Sequence, residues 1–253
     1  MLQKITINYF RQALNSVMTD NKFDREIHGF RSGKLNGTKL YKSQINNFDK
    51  VFKRRVERKN KHYKVHFIID VSGSMTSYYD EDDHPDQVFS WEERECTYVY
   101  DYCPLGKVID FVLPINEAVK KHKIDTDFIC FGNGAMHCES TTPEDLKKEF
   151  CYAGDIYGAS TRMYEPLELL SEELDYDLEP EQNLVIVLTD GDFGVNSDLQ
   201  KLIRKLEKSS KIFGVGIESA SVANAFSESA VVHDMSDCLR AILMFLSRNI
   251  KRG

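Results

Sequence analysis

Three side chains that carry oxygen follow a short apolar run in the first third of the chain. Asp70, Ser72 and Ser74 stand at alternate positions directly after segment 65–69, and Gly73 separates the two serines. Glycine adopts backbone conformations that a side chain would forbid, so both hydroxyls can turn toward the carboxylate. Three hard oxygens that converge on one point suit Mg²⁺ or Mn²⁺. The stretch therefore predicts part of a site for a divalent metal ion.

Two apolar strands position these oxygens and supply another carboxylate. Segment 65–70 reads as a strand buried on both faces, and segment 183–190 is a second one that ends in Asp190. Between them, loop 157–162 carries a hydroxyl at Thr161 and leads into a predicted helix. In an open parallel sheet, such loops meet at the carboxyl edge, where ligands bind. The sequence predicts an all-oxygen cage for Mg²⁺ or Mn²⁺ with room for water, made of Asp70, Ser72, Ser74, Thr161 and Asp190.

The fold class follows from the alternation of strands and helices over residues 65–253. This alternation predicts an α/β fold with a Rossmann-like, doubly wound, mainly parallel sheet of about six strands and helices on both faces. Within it, segment 135–139 is predicted as an edge strand. Pro114 is expected to kink or restart the helix near 108–119, and Ser197 is expected to cap the helix that follows it.

Charge is distributed unevenly along the 253 residues. The first 66 residues hold 16 Lys and Arg against 5 Asp and Glu, whereas the remainder holds 17 against 35. We interpret residues 1–60 as a basic accessory region and residues 61–253 as the main domain. The basic region either binds nucleic acid or packs on the acidic remainder of the chain. Packing is favoured, because apolar residues are interleaved with the basic ones.

Residues 76–104 form an acidic and aromatic insertion directly after Ser74. The segment holds nine Asp and Glu, the only tryptophan, Trp91, and several tyrosines. Loops of this length inside a domain are usually functional or disordered. Three interpretations stay open: a solvated and partly helical insertion, a flap that contacts a partner beside the site, and a binding site for a second cation.

Composition narrows the class of protein. No run approaches the roughly 18 apolar residues of a membrane span, and the N-terminus lacks the apolar core of a signal peptide. The six cysteines contain no CxxC pair, and His137-Cys138 with Cys130 or Cys151 lacks zinc spacing, so reduced structural thiols are predicted. The expected compartment is the cytoplasm, with no membrane association.

The three motifs resemble those of a von Willebrand factor type A (VWA) domain with its metal-ion-dependent adhesion site. The resemblance covers roughly residues 64–250 and rests on Asp70-Val-Ser72-Gly-Ser74, on the Gly158 loop with Thr161, and on Leu188-Thr189-Asp190-Gly191. It implies that the Ser and Thr hydroxyls bind the ion directly, and that the two Asp residues act largely through water. It also implies that an acidic side chain of a protein partner completes the coordination shell.

A narrower resemblance concerns the segment before the first strand. Gly33-Lys-Leu35, Leu40 and Val51-Phe52-Lys-Arg-Arg are similar to the intracellular VWA proteins that work with MoxR-type AAA+ ATPases, such as the VWA subunit of aerobic cobaltochelatase. The resemblance implies an adaptor or co-factor subunit that binds an AAA+ ATPase or its client through Mg²⁺. On this interpretation the chain is not itself an enzyme.

Two other functions stay open. A metal-assisted hydrolase would use the same ion to activate water, and it would need a base from Asp155, Asp192 or the acidic insertion. A nucleic-acid-binding scaffold would use the basic N-terminal region, although nucleic acid is the less expected partner. An aspartyl-nucleophile phosphatase is excluded, because it would need a second Asp where Ser72 stands.

Overall fold

The computed structural model describes residues 25–30, 34–35, 52–56, 62–76, 103–121, 124–140 and 142–250. The chain divides into two compact units, one of residues 1–14 and 62–251 and the other of residues 15–61 and 252–253. The predicted role of residues 1–60 as an accessory region of the main domain stays a prediction, as does the packing of the basic region on the acidic one. Most of the acidic insertion lies outside the described residues.

The smaller unit contains a three-stranded antiparallel sheet in the order β1-β3-β2. Its strands are β1 (Arg25–Phe30), β2 (Lys34–Leu35) and β3 (Phe52–Val56). The sequence pattern predicts none of these three strands, because basic residues interrupt any alternation of apolar and polar positions.

The larger unit is built on a six-stranded sheet in the order β6-β5-β4-β7-β8-β9. All neighbours pair in parallel except the edge strand β6, which runs antiparallel to β5. The strands are β4 (Lys64–Asp70), β5 (Asp125–Phe131), β6 (Ala135–Cys138), β7 (Asn183–Thr189), β8 (Lys211–Ile217) and β9 (Ser229–Val232). The predicted mainly parallel α/β sheet of six strands is confirmed, as is the edge strand.

Seven helices of the described chain connect or flank these strands. They are α1 (Gly73–Thr76), α2 (Pro104–Lys121), α3 (Pro143–Tyr157), α4 (Tyr164–Glu173), α5 (Ser197–Leu206), α6 (Ser221–Ala225) and α7 (Met235–Asn249). Within the ranges described, no helix is both long and apolar enough to cross a membrane.

Helices cover both faces of the sheet, because successive strand residues point to opposite sides. On one side, Ile68 and Ile129 belong to the same buried cluster as Leu167 and Leu170 of α4, together with residues of α5 and α6. On the other side, Phe67 stacks on Phe128, Phe150 of α3 packs edge-on against Phe128, and Phe213 stacks on Phe245 of α7. The double cover explains why β4 and β7 are apolar at almost every position.

Two local predictions differ from the structure. The helix α2 runs through Pro114 as one element, so the predicted restart there is wrong, whereas the predicted kink stays a prediction. A proline removes one backbone donor, and burial of Val108, Val112, Ile115 and Val119 on this helix favours its continuation. The cap of α5 is Asn196, whose side chain accepts hydrogen bonds from the Asp198 and Leu199 amides, and Ser197 is the first helical residue.

Strand order reverses direction between β4 and β7. The chain proceeds outward from β4 through β5 to β6, returns to β7 on the other side of β4, and continues outward through β8 to β9. Loops that leave such a pair diverge to opposite faces and open a crevice at the carboxyl edge. The predicted metal-binding residues follow these two strands.

Candidate functional site

Asp70 is the innermost residue of the candidate site. It ends β4 and is fully buried. Its Oδ1 accepts a hydrogen bond from the Ser72 amide at 2.8 Å, and its Oδ2 accepts one from the Thr189 hydroxyl at the end of β7. The carboxylate is therefore oriented by both strands that flank the crevice.

Burial makes this carboxylate hard to ionise. Desolvation raises the pKa of Asp70 to about 6, against the opposing effect of the hydrogen bonds from Thr189 and Ser72. Desolvation also raises the pKa of Asp190, which receives a hydrogen bond from Ser74. A nearby cation would offset the cost of holding both negative charges in the crevice.

The two serines connect Asp70 to Asp190. Ser72 Oγ lies 3.2 Å from Ser74 Oγ, and Ser74 Oγ donates a hydrogen bond to Asp190 Oδ1 at 2.8 Å. Ser72 is buried, whereas Ser74 is exposed at the mouth of the site. Four of the five predicted residues therefore form one hydrogen-bonded network.

Thr161, the fifth predicted residue, lies against Gly191. A β-carbon added to Gly191 would lie 2.3 Å from Thr161 Oγ1 and 3.0 Å from the threonine Cβ. Only a glycine after Asp190 lets this hydroxyl come so close to the end of β7. All three predicted loops therefore meet at the crevice.

Backbone contacts hold the loop that carries Thr161. Arg162 donates its amide to the Gly132 carbonyl at 2.7 Å, and Asn133 donates its amide to the Tyr157 carbonyl at 2.8 Å. A β-carbon on Gly132 would lie 1.8 Å from the Tyr157 carbonyl oxygen, so no larger residue fits there. The loop is thus fixed on the turn between β5 and β6.

Thr189 is a site residue that the sequence analysis did not single out. It is fully buried, donates to Asp70, and accepts the Gly191 amide at 3.0 Å. A hydroxyl directly before a strand-end Asp was the available signal, but the pairing of β4 with β7 is needed to show which carboxylate it contacts.

Asp192, one base considered for a hydrolase, is held elsewhere. Its Oδ1 accepts hydrogen bonds from Ser219 at 3.1 Å and Ser221 at 2.8 Å, both in the segment after β8. Among the described residues, these two hydroxyls hold the Asp192 side chain outside the hydrogen-bonded network of Asp70.

The donor set fits a small, hard cation. Mg²⁺ binds oxygen at about 2.1 Å, so neighbouring ligands in an octahedral shell lie about 3.0 Å apart. The Ser72–Ser74 and Ser74–Asp190 oxygen separations of 3.2 and 2.8 Å bracket that distance. No nitrogen or sulfur ligand belongs to the described network, which favours Mg²⁺ or Mn²⁺ over softer ions. Metal binding at these residues stays a prediction.

Comparisons with known proteins give distant structural likenesses. No family model matches this chain, and no curated protein matches it. Among solved structures, the conserved hypothetical protein BatB from Bacteroides thetaiotaomicron has a TM-score of 0.48 at 14% identity, over 74% of this chain and 98% of BatB.

Two further structures are similar to the same degree. An aerotolerance-related membrane protein from Bacteroides fragilis has a TM-score of 0.46 at 13% identity, over 76% of this chain and 100% of that one. The pilus adhesin SpaC from Lactobacillus rhamnosus GG has a TM-score of 0.49 at 12% identity, over 76% of this chain and 31% of SpaC. All three TM-scores lie below 0.5, so these likenesses are distant.

Proposed function

We propose that the chain is a metal-dependent protein-binding module that captures an acidic side chain of a partner through Mg²⁺ at Asp70, Ser72, Ser74, Thr161 and Asp190. The observation that carries the proposal is the continuous hydrogen-bonded network from buried Asp70 to exposed Ser74 and on to Asp190. It lies at the point of strand reversal, where open α/β sheets bind ligands.

The gradient of burial within the site supports binding of an external ligand. Asp70 and Ser72 lie at the base, and Ser74 at the mouth is exposed. An ion held by the inner oxygens would thus present its outer coordination positions to a partner. When bound, the ion supplies a concentrated positive charge, which attracts a carboxylate and fixes its orientation.

The resemblance to VWA domains supports the same assignment. In that family the hydroxyls corresponding to Ser72, Ser74 and Thr161 bind the ion directly, and a partner carboxylate completes the shell. Here Asp70 accepts hydrogen bonds on both carboxylate oxygens, which suits a residue that acts largely through water.

The partner class is proposed from the narrower resemblance. The chain would then act in the cytoplasm as a non-catalytic adaptor that presents a client to an AAA+ ATPase of the MoxR or chelatase type. The stretches that carry this resemblance include β2 and β3, which pair with each other in the smaller sheet.

Affinity capture from the native cell tests this function. The full chain is used as bait in millimolar Mg²⁺, in EDTA, and in EDTA followed by excess Mg²⁺. We expect a specific partner that is retained with Mg²⁺, lost with EDTA and restored afterwards. Thr161→Ala should lose the same partner, whereas Ser247→Ala, which removes an exposed hydroxyl from α7, should retain it.

Two results would contradict the proposal. The first is equal capture of every partner by wild type and Thr161→Ala, with and without EDTA. The second is Mg²⁺-dependent turnover of a phosphoester panel by the wild type that Thr161→Ala abolishes, because such turnover would assign the ion to hydrolysis.

A further inference from the structure

A second group of metal-ligating side chains lies at the amino end of the large sheet. Asp127 is buried on β5, His137 is on the edge strand β6, and Glu173 is the last residue of α4. One ligand atom from each residue lies within 4.8 Å of the other two. His66, the neighbour of Asp127 on β4, precedes Asp70 by four residues, about 13 Å of strand. The group is therefore separate from the site around Asp70.

The carboxylate of Asp127 is held between two imidazoles. Its Oδ1 is hydrogen-bonded to His137 Nε2, and its Oδ2 lies 3.0 Å from His66 Nδ1. Both carboxylate oxygens are thus oriented by imidazole nitrogens, one from each neighbouring strand of the sheet. A carboxylate fixed in this way is held in place to bind a metal ion.

His66 provides an independent indication of a built site. It is fully buried, and its Nε2 has no hydrogen-bond partner among the described atoms. Since a carboxylate only accepts hydrogen bonds, His66 Nδ1 carries the proton and donates it to Asp127 Oδ2. A buried imidazole that leaves one nitrogen unsatisfied is costly, and orientation of a liganding carboxylate is the kind of role that outer partners of metal sites perform.

We propose that Asp127, His137 and Glu173 bind a divalent transition-metal ion of the Zn²⁺ class, with His66 as a positioning residue. One imidazole nitrogen and two carboxylate oxygens are a donor set that Zn²⁺ accepts, with a water molecule as the fourth ligand. Tetrahedral ligands at about 2.1 Å lie about 3.4 Å apart. Asp127 and His137, which are in hydrogen-bond contact without the ion, would therefore move apart to admit it, and all three ligand atoms already lie within 4.8 Å of one another. The ion joins β5, β6 and α4, and so ties the edge strand to the helix that covers it.

The carboxylate of Glu173, the third proposed ligand, is available to bind a metal ion. Lys64 Nζ donates to the backbone carbonyl of Glu173 at 2.9 Å, and in the described part of the chain no cation pairs with the Glu173 carboxylate. His137 retains 31% of its side-chain exposure, which gives the ion a path from solvent.

Zinc titration of the full chain tests the proposal. The chelator-treated chain is kept in millimolar Mg²⁺, so that Mg²⁺ occupies the site around Asp70, and Zn²⁺ is titrated in competition with a fluorescent chelator. We expect one Zn²⁺ per chain with a micromolar or tighter Kd. His137→Gln and Glu173→Gln should each weaken it by about 100-fold or more, whereas Glu172→Gln, on the adjacent residue of α4, should not change it.

Two controls separate this site from the first one. Thr161→Ala should bind Zn²⁺ as the wild type does, and X-ray absorption of the zinc-loaded wild type should show an imidazole in the coordination shell. An all-oxygen shell, loss of Zn²⁺ with Thr161→Ala, or affinities of His137→Gln and Glu173→Gln within about threefold of wild type would overturn the proposal. So would absence of stoichiometric binding to the wild type.

Discussion

Ser74 Oγ donates a hydrogen bond to Asp190 Oδ1 at 2.8 Å, although 116 positions separate the two residues in the chain. The contact joins the turn after β4 to the end of β7, the two strands between which the sheet order reverses. It shows that motifs far apart in sequence form one cluster of oxygens.

Thr189 is expected to position Asp70. Thr189→Val keeps the shape of the side chain but removes the donor to a buried carboxylate, at a cost of about 1.5–3 kcal/mol in unfolding free energy at neutral pH without metal. Thr189→Ser keeps the hydroxyl and should recover most of that loss. Urea denaturation in EDTA measures both variants, and equal stability of Val and Ser at this position would contradict the assigned hydrogen bond.

Two glycines five residues or fewer after β7 provide a matched pair. In Gly191→Ala the added carbon would lie 2.3 Å from Thr161 Oγ1, whereas a β-carbon on Gly194 meets nothing within 4 Å. We expect Gly191→Ala to displace Thr161 and weaken Mg²⁺ binding by about tenfold or more, and Gly194→Ala to leave it unchanged. Calorimetric titration measures the Mg²⁺ affinity of each variant. Equal Mg²⁺ affinities of Gly191→Ala and Gly194→Ala would exclude Thr161 as a ligand.

Asp70 should make the metal-free chain less stable as pH rises. Its pKa is about 6 in the folded chain against an ordinary value of 3.8, so the folded state binds the proton more tightly than the unfolded state. Unfolding free energy is therefore lost between about pH 4 and pH 6, by about 3 kcal/mol. The loss persists above pH 6 until a cation neutralises the carboxylate.

Asp70→Asn tests this dependence. The amide carries no charge but loses one accepted hydrogen bond, worth about 1 kcal/mol. In EDTA at pH 7.5 we expect the variant to exceed wild type by about 1–2 kcal/mol, and to lose that advantage near pH 4. Added Mg²⁺ should stabilise the wild type alone. If Mg²⁺ stabilises Asp70→Asn as much as it stabilises the wild type, Asp70 does not belong to the metal site.

Asp127 should show the opposite dependence on pH. Its folded pKa of about 2 lies below the ordinary 3.8, so its contribution of about 2 kcal/mol is complete above pH 4 and is lost as pH falls toward 2. Asp127→Asn should therefore destabilise the metal-free chain at pH 7, by an amount that shrinks below pH 4. Asp125→Asn, at an exposed carboxylate that lies 3.0 Å from His62 Nε2, should have little effect. If Asp127→Asn lowers the unfolding free energy equally at pH 7 and pH 3, the pKa of Asp127 is not lowered in the folded chain.

The sequence predicted the large sheet well because its strands are apolar throughout and end in recognisable turns. Asp70 and Asp190 could be placed together, since parallel strands end at one edge. The second cluster could not be predicted, because His66, Asp127, His137 and Glu173 follow no metal-binding spacing. Their proximity depends on strand register, in which His66 pairs with Asp127, and on the packing of α4 over β5.

We expect one divalent ion to bind the oxygens around Asp70. Electron paramagnetic resonance of Mn²⁺, titrated into the chelator-treated full chain with Zn²⁺ already bound, measures this directly. We predict one bound Mn²⁺ per chain that excess Mg²⁺ displaces, and loss of that binding in Ser74→Ala and Thr161→Ala but not in Ser247→Ala. Mn²⁺ binding of equal strength in all four chains, or none in the wild type, would contradict the account.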